Sequence, residues 1–291
     1  MKLRLLFYLL PVTAILLTSC KQEDLTPSWV TIESVSLQTD EVSEGDNTHA
    51  ITDLWVFKNN EALGVWEVGS TFPVLGEGSS NFIFRAGIKK NGIAASRTQY
   101  PFYEQFTIDL DLVKGDTFVV TPVFTYKEGA EFAMLEDFED SGIDFTATTD
   151  SDTSIQFIYD ATDPDIVEYG EKCGGIFLTT VDSFFRAETD LEMPIPVGQT
   201  YLEVDYMNDH HLDMGFISHL STGETEDQGT QFRISAQDQA APTWKKIYIE
   251  LTNYVGFFLN QVSSDIYFAT FLAENFTEGN IYIDNIKVVH F

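Results

Sequence analysis

The chain has 291 residues, enough for two domains that each bury a core. Hydrophobic residues make up 44%, which excludes a disordered chain, and aromatics at 14% favour strands over helices. The formal net charge is −30, from 46 Asp+Glu against 16 Lys+Arg. That excludes nucleic acid as a partner, because phosphate binding needs clustered cations, while carboxylates in such excess suit a salty or wall-like setting and, where they cluster, Ca²⁺.

Residues 1–20 read as a processing signal outside the fold. Lys2 and Arg4 form a basic start, and the apolar run Leu5 to Leu17 is too short to span a bilayer comfortably. It ends in Leu17-Thr18-Ser19-Cys20, the lipobox pattern of a branched residue, two small ones and a cysteine. Cys20 is the expected lipidation site: its thiol takes a diacylglyceryl group, the peptidase needs small residues to cut before it, and several acyl chains make the membrane anchor stable. Residues 21–28 form a tether. Its Lys21-Gln22-Glu23-Asp24 start resembles the signal that sends lipoproteins to the outer-membrane surface in Bacteroidota-type bacteria, and a generic solvated tether explains the same residues.

Beyond the tether the pattern predicts an all-β chain: an N-terminal immunoglobulin-like β-sandwich over 29–127 and a C-terminal β-jelly roll over 132–291, with a linker near Lys127 to Met134. In Phe106 to Leu112 every second residue is apolar, so one face packs and the other is wet. Ile51 to Phe57 and Asn81 to Arg85 are similar, and Lys90-Asn91-Gly92 and Asn59-Asn60 supply turns. Thr117 to Tyr126 is strongly β, but Pro122 lacks a ladder donor and forces an edge or a bulge.

In the second half, strands are predicted at 155–159, 175–180, 201–207, 246–251 and 266–272. Leu202, Val204 and Tyr206 share one face, with Glu203 and Asp205 on the other. Acidic, turn-rich loops are expected at 149–153, 160–165 and 221–229. The closing strand, 281–291, breaks phase: Ile281 and Ile283 lie in one register, Ile286 and Val288 in the other. Either both its faces are buried, or a bulge at Asp284-Asn285 shifts the pleat. Its expected partner is Leu135 to Asp140.

Two blocks carry a family likeness. Ile51-Thr-Asp-Leu-Trp-Val56, Gly87 to Ile93 and Tyr100-Pro-Phe-Tyr103 resemble a family of surface lipoproteins of Bacteroidota type. Phe138-Glu139, Pro242-Thr-Trp244 and Ile281 to Val288 resemble galactose-binding-like jelly rolls, the fold of many carbohydrate-binding modules. The second resemblance implies a structural Ca²⁺ where the first and last strands meet, at Glu136, Glu139 and Asp284. It implies carbohydrate binding without fixing the residues of an aromatic platform.

Catalytic signals are thin, and the chain reads as a non-enzyme. Asp209-His-His-Leu-Asp213 could bind a transition metal, but adjacent His on one strand point to opposite faces, so a polar loop explains it better. Glu224-Thr-Glu226-Asp227 lacks the strand alternation that would aim paired carboxylates inward. Cys173 reads as a buried, inert thiol, and the four Trp as core or hinge residues. Phe184, Phe185 and Arg186 beside Tyr206, Asn208 and His210 are the candidate glycan contacts, with exposed aromatics next to Asn and His donors. The partners that follow are the membrane and either a polysaccharide, neutral given the chain's charge, or a protein of an envelope complex in which the jelly roll has a structural role.

Overall fold

The computed structural model describes residues 25–291, so Cys20 lies outside the described residues. The first half runs β1 (Ser28–Ile32), β2 (Ser36–Leu37), β3 (Asp53–Lys58), β4 (Glu61–Glu67), β5 (Thr71–Val74), β6 (Gly78–Lys89), β7 (Arg97–Gln99), β8 (Phe106–Leu112), β9 (Thr117–Val120) and β10 (Val123–Phe124), with a short helix at Glu41–Glu44. The second half runs β11 (Glu131–Glu136), β12 (Phe145–Ala147), β13 (Gln156–Tyr159), β14 (Lys172–Thr179), β15 (Phe184–Thr189), β16 (Thr200–Asn208), β17 (Leu212–Leu220), β18 (Thr225–Ile234), β19 (Lys245–Glu250), β20 (Gln261–Phe271) and β21 (Glu278–His290). The chain is all-β, a β-sandwich followed by a jelly roll.

In the first half, β4-β3-β6-β7, with β8 also on β6, forms one sheet and β5-β1-β9 the other. Their apolar faces meet around Val30, Ile32, Leu54, Val56, Phe72, Phe82 and Phe84. Positive φ at Asn59 and Asn60 closes the β3–β4 hairpin, as a two-residue turn with right-handed strand twist requires. Pro122 does split its β run: β9 pairs with β1, while β10 pairs with β2 in a separate two-stranded ladder.

The jelly roll sets β13-β14-β21-β16-β19, with β11 also on β21, against β12-β15-β20-β17-β18. The expected bulge is present. Glu203 faces Lys287 and Asp205 faces Asp284, so β21 spends one residue more than β16 over that span, and Asn285 takes φ 47°. The extra residue returns Ile286 and Val288 to the core beside Ile281 and Ile283. Two loop expectations hold only in part, at residues 209–211 and 221–224. Leu212 and Asp213 open β17, and Thr225 onward forms β18, an edge strand whose polar residues face water.

The halves are docked. The outer face of β16, β19 and the end of β21, which alternation marks as the polar face, is buried under the first half. Tyr201, Tyr248 and Val289 join the first half's core, and Glu203, Asp205 and Lys287 are buried with them. The Lys90-Asn91-Gly92 turn caps the edge strand β19. Asn91 N donates to Tyr248 O over 2.8 Å, Glu250 N donates to Asn91 Oδ1 over 2.8 Å, and Lys90 pairs with Glu250. Gly92 has φ 69° and sits against Ile247, which explains glycine at the turn. An edge covered in this way cannot recruit another strand.

Candidate functional site

Where the halves meet, a cleft of about 400 Å³ opens between the Thr48–Thr52 segment and the start of β19. That volume lies within the range of about 300–1,000 Å³ typical of small-ligand sites. Trp244, Tyr169 and Tyr206 supply half-buried aromatic surface. Trp244 is held in place: its indole Nε1 donates to Ile166 O over 2.7 Å, and its ring meets Tyr169 edge to face. Thr48, His49 and Asp205 add hydrogen-bonding groups, and Lys89, Lys245 and Lys246 add cationic ones. A second cleft of about 350 Å³ lies between Arg85, Gln99, Glu104 and Lys127. Its tyrosines, Tyr100 and Tyr103, are buried with their hydroxyls already bonded, so it offers less to a ligand.

A buried polar network underlies the first cleft. Tyr100 and Tyr126 donate to Glu203 Oε1 over 2.6 and 2.9 Å. Thr48 Oγ1 donates to Asp205 Oδ2 over 2.5 Å, and Lys246 Nζ donates to Thr48 Oγ1 over 2.9 Å. Lys246 Nζ also lies 3.3 Å from Glu203 and 3.6 Å from Asp205. Burial disfavours its ammonium, but the two carboxylates outweigh that and raise its pKa. Burial, with Glu203 next, pushes Tyr100, Tyr103 and Tyr126 well above the usual phenol range. The network fixes the floor of the cleft.

Glu136, Glu139 and Asp284 are not brought to one ion. Glu136 accepts from Phe138 N and Asp144 N, at 2.7 and 2.6 Å, and Glu139 accepts from Glu171 N and Lys172 N, at 2.7 and 3.0 Å. Asp284 turns into the sheet–domain boundary at the bulge, where burial lifts its carboxyl to about 9. Among the described residues no group of three or more His, Cys, Asp and Glu could hold a metal. The carboxylates cap backbone N–H groups, and this use of them has no distinct sequence signal.

The expected glycan contacts are also separated. Phe185 is buried in the jelly-roll core. Arg186, on the outer face of β15, stacks over Tyr267 at 3.8 Å and pairs with Glu188 and Asp227. Phe184 lies at the start of the same strand, whereas Tyr206, Asn208 and His210 belong to the opposite sheet or the turn after it. Asn208 and His210 are buried, with Asn208 Nδ2 donating to His210 O and the His210 ring against Phe276. Of the six, only Tyr206 reaches the cleft. Cys173 is buried, and burial lifts its thiol to about 12, as an inert core cysteine requires. Trp244 and Tyr169, which complete the cleft, carry no signal beyond being aromatic; the Pro242-Thr-Trp244 segment was a fold marker only.

No protein-family model and no curated protein matches the chain. Among solved structures, a family 22 xylan-binding domain from Paenibacillus barcinonensis is similar at 10% identity and TM-score 0.37, over 56% of this chain and 96% of that one. A family 11 carbohydrate-binding module of a cellulosomal cellulase from Clostridium thermocellum is similar at 17% identity and TM-score 0.38, over 54% and 93%. A family 28 module specific for non-crystalline cellulose has TM-score 0.39 at 10% identity, over 53% and 93%.

Proposed function

We propose that this chain is a membrane-anchored, surface-exposed lipoprotein that binds a saccharide, without cleaving it, in the cleft between its two halves. The observation that supports this reading is the cleft's lining: Trp244, Tyr169 and Tyr206 beside Thr48, His49 and Asp205. Sugar rings present apolar C–H faces that stack on aromatic rings, while neighbouring polar groups orient the hydroxyls. The lipobox at Cys20 supports the anchor. Each contact is weak, so a polymer engaged by many anchored copies should bind better than one repeat unit.

The test is affinity electrophoresis of residues 21–291 on a panel of polysaccharides, with Trp244→Ala and Tyr169→Ala compared at matched thermal stability. Retardation by at least one polysaccharide, lost in both variants, is the expected result. If no polysaccharide retards the protein, the saccharide reading is wrong. Separately, Cys20→Ala should abolish labelling by fatty acid, and equal labelling would refute the anchor.

A second reading has one observation in its favour. Val197, Phe257 and Leu259 are exposed on loops of the jelly roll and Val262 at the start of β20, with Gly256 packed against Val197. Exposed apolar patches of this kind mark protein contacts, which suits a subunit of an envelope complex. Phe257→Asp with Leu259→Asp would then disrupt assembly and leave saccharide retardation intact.

A further inference from the structure

The chain's overall charge argues for a neutral ligand, but the cleft does not share that charge. Three of its lining residues are lysines, Lys89, Lys245 and Lys246, in a chain with only 16 Lys+Arg against 46 Asp+Glu. Their roles differ. Lys246 is buried and committed to Glu203 and Asp205. Lys89 closes β6 from the first half, and Lys245 opens β19 from the second, so the two reach the cleft from opposite sides of the boundary. Among the described residues, neither enters an ion pair or a side-chain hydrogen bond. Other lysines nearby are engaged: Lys90 with Glu250, and Lys287 with Asp46 O.

The one carboxylate in the cleft lining is already engaged, while Asp46 and Glu168 act on Tyr169 from outside the lining. Asp205, the carboxylate in the lining, accepts from Thr48 and faces Lys246. Asp284, deeper under the same face, is buried, and its desolvation favours the protonated, neutral form. His49 is driven toward its neutral form by burial and by Lys246. What remains uncompensated in the lining is positive. In a chain of −30, Lys89 and Lys245 are the charged groups of the lining that no carboxylate pairs with, and a low-dielectric wall concentrates their field.

We infer that the cleft selects an acidic saccharide, a carboxylated sugar of the uronic-acid class, with its ring against Trp244 and Tyr169 and its carboxylate between Lys89 and Lys245. This inference rests on the saccharide-binding reading above and sharpens it. The carboxylate gains charge-assisted hydrogen bonds from two ammonium groups, which a neutral sugar cannot do. The net negative charge of the whole protein opposes approach of an anionic polymer at low salt, whereas the short-range contact in the cleft is screened less. Short acidic oligosaccharides should therefore bind better than long acidic polymers at low salt, and the difference should shrink as salt rises.

The experiment is calorimetric titration of residues 21–291 with trigalacturonate and, as neutral probes, xylotriose and cellotriose. The expected result is at least about tenfold tighter binding of trigalacturonate, a difference of about 1.4 kcal/mol. Lys89→Gln with Lys245→Gln should remove that preference, and the thermal midpoint should change little because neither lysine has a partner to lose. Trp244→Ala should weaken every oligosaccharide that binds. If the neutral probes bind as well as trigalacturonate, or if the lysine variant keeps the preference, the acidic-sugar inference falls and saccharide binding stands. If none of the three binds and the polysaccharide panel also fails to retard the protein, both fall together.

Discussion

Tyr100 and Glu203 meet across the boundary between the two halves, the phenol hydroxyl donating to Oε1 over 2.6 Å. Tyr100 follows β7 in the first half, and Glu203 sits on the outer face of β16 in the jelly roll. Tyr126 donates to the same oxygen, and Lys246, Asp205 and Thr48 continue the network toward the cleft. A carboxylate with no solvent contact is tolerated only where such donors replace its water. The docking of the halves, the satisfaction of the buried charges and the shape of the cleft floor are thus one arrangement.

Lys246→Met should therefore be severe. It would leave Glu203 and Asp205 buried without their cation, and removing one partner of a buried pair costs about 3–5 kcal/mol. Urea unfolding of the whole chain should show the loss. The triple variant Glu203→Gln, Asp205→Asn, Lys246→Met leaves no member of this set charged, and it should recover at least half of it. A Lys246→Met protein as stable as wild type would mean that the network does not bear on stability.

Asp284 should make stability depend on pH. Burial raises its folded pKa to about 9 from the model-peptide value of 3.8, so the folded state holds a proton that the unfolded chain releases. Its contribution is fully present below pH 3.8 and is lost as pH rises toward 9, at up to about 1.4 kcal/mol per pH unit. Lys287 has the opposite sign but a different window. Burial lowers its folded pKa to about 8 from 10.5, so its contribution is present above 10.5 and lost as pH falls through 8. Between pH 5 and 8 the Asp284 trend is therefore the one to isolate. Asp284→Asn should be more stable than wild type at pH 8, with the gap closing toward pH 4. Parallel stability curves for the two proteins would contradict this.

The sequence carried the skeleton well, for reasons visible in single residues. Alternation over Phe106 to Leu112 places β8 with both of its ends, and the phase break at Asp284-Asn285 locates the bulge that the pairing shows. It misled wherever one half covers the other. Glu203 and Asp205 alternate with Leu202 and Val204 as a wet face would, and only the docked first half makes them buried. The strand β17 was hidden because three of its four outward positions, Asp213, Gly215 and His219, are polar or bare and only Ile217 is apolar; Asp213 pairs with Arg233, and His219 is hydrogen-bonded to Asp265. Trp244 and Tyr169 become a site only through residues 48–52, about 190 and 120 positions earlier in the chain respectively, a separation that no local pattern encodes.

The two cores differ in what they need, and that sets the last prediction. The jelly-roll core is built entirely from residues between Met134 and Val288. The first half's core takes in Tyr201, Tyr248 and Val289 from the jelly roll. Separated, residues 131–291 keep every member of their core and release Glu203, Asp205 and Lys246 to water, where ions cost nothing to hold. They lose the cover over Tyr201, Tyr248 and Val289, each burial of that kind being worth about 1.5–3 kcal/mol. Residues 25–130 lose three members of their core outright and gain an exposed apolar face with Tyr100, Phe102 and Tyr103 on it. Residues 131–291 should therefore unfold cooperatively on their own, at a lower midpoint than the whole chain, and should no longer bind saccharide because half the cleft is gone. Residues 25–130 should unfold at a lower midpoint still, or without a cooperative transition. Circular dichroism melts of the two fragments and the whole chain would decide it, and a first half as stable alone as in the whole chain would show that the shared core is not needed.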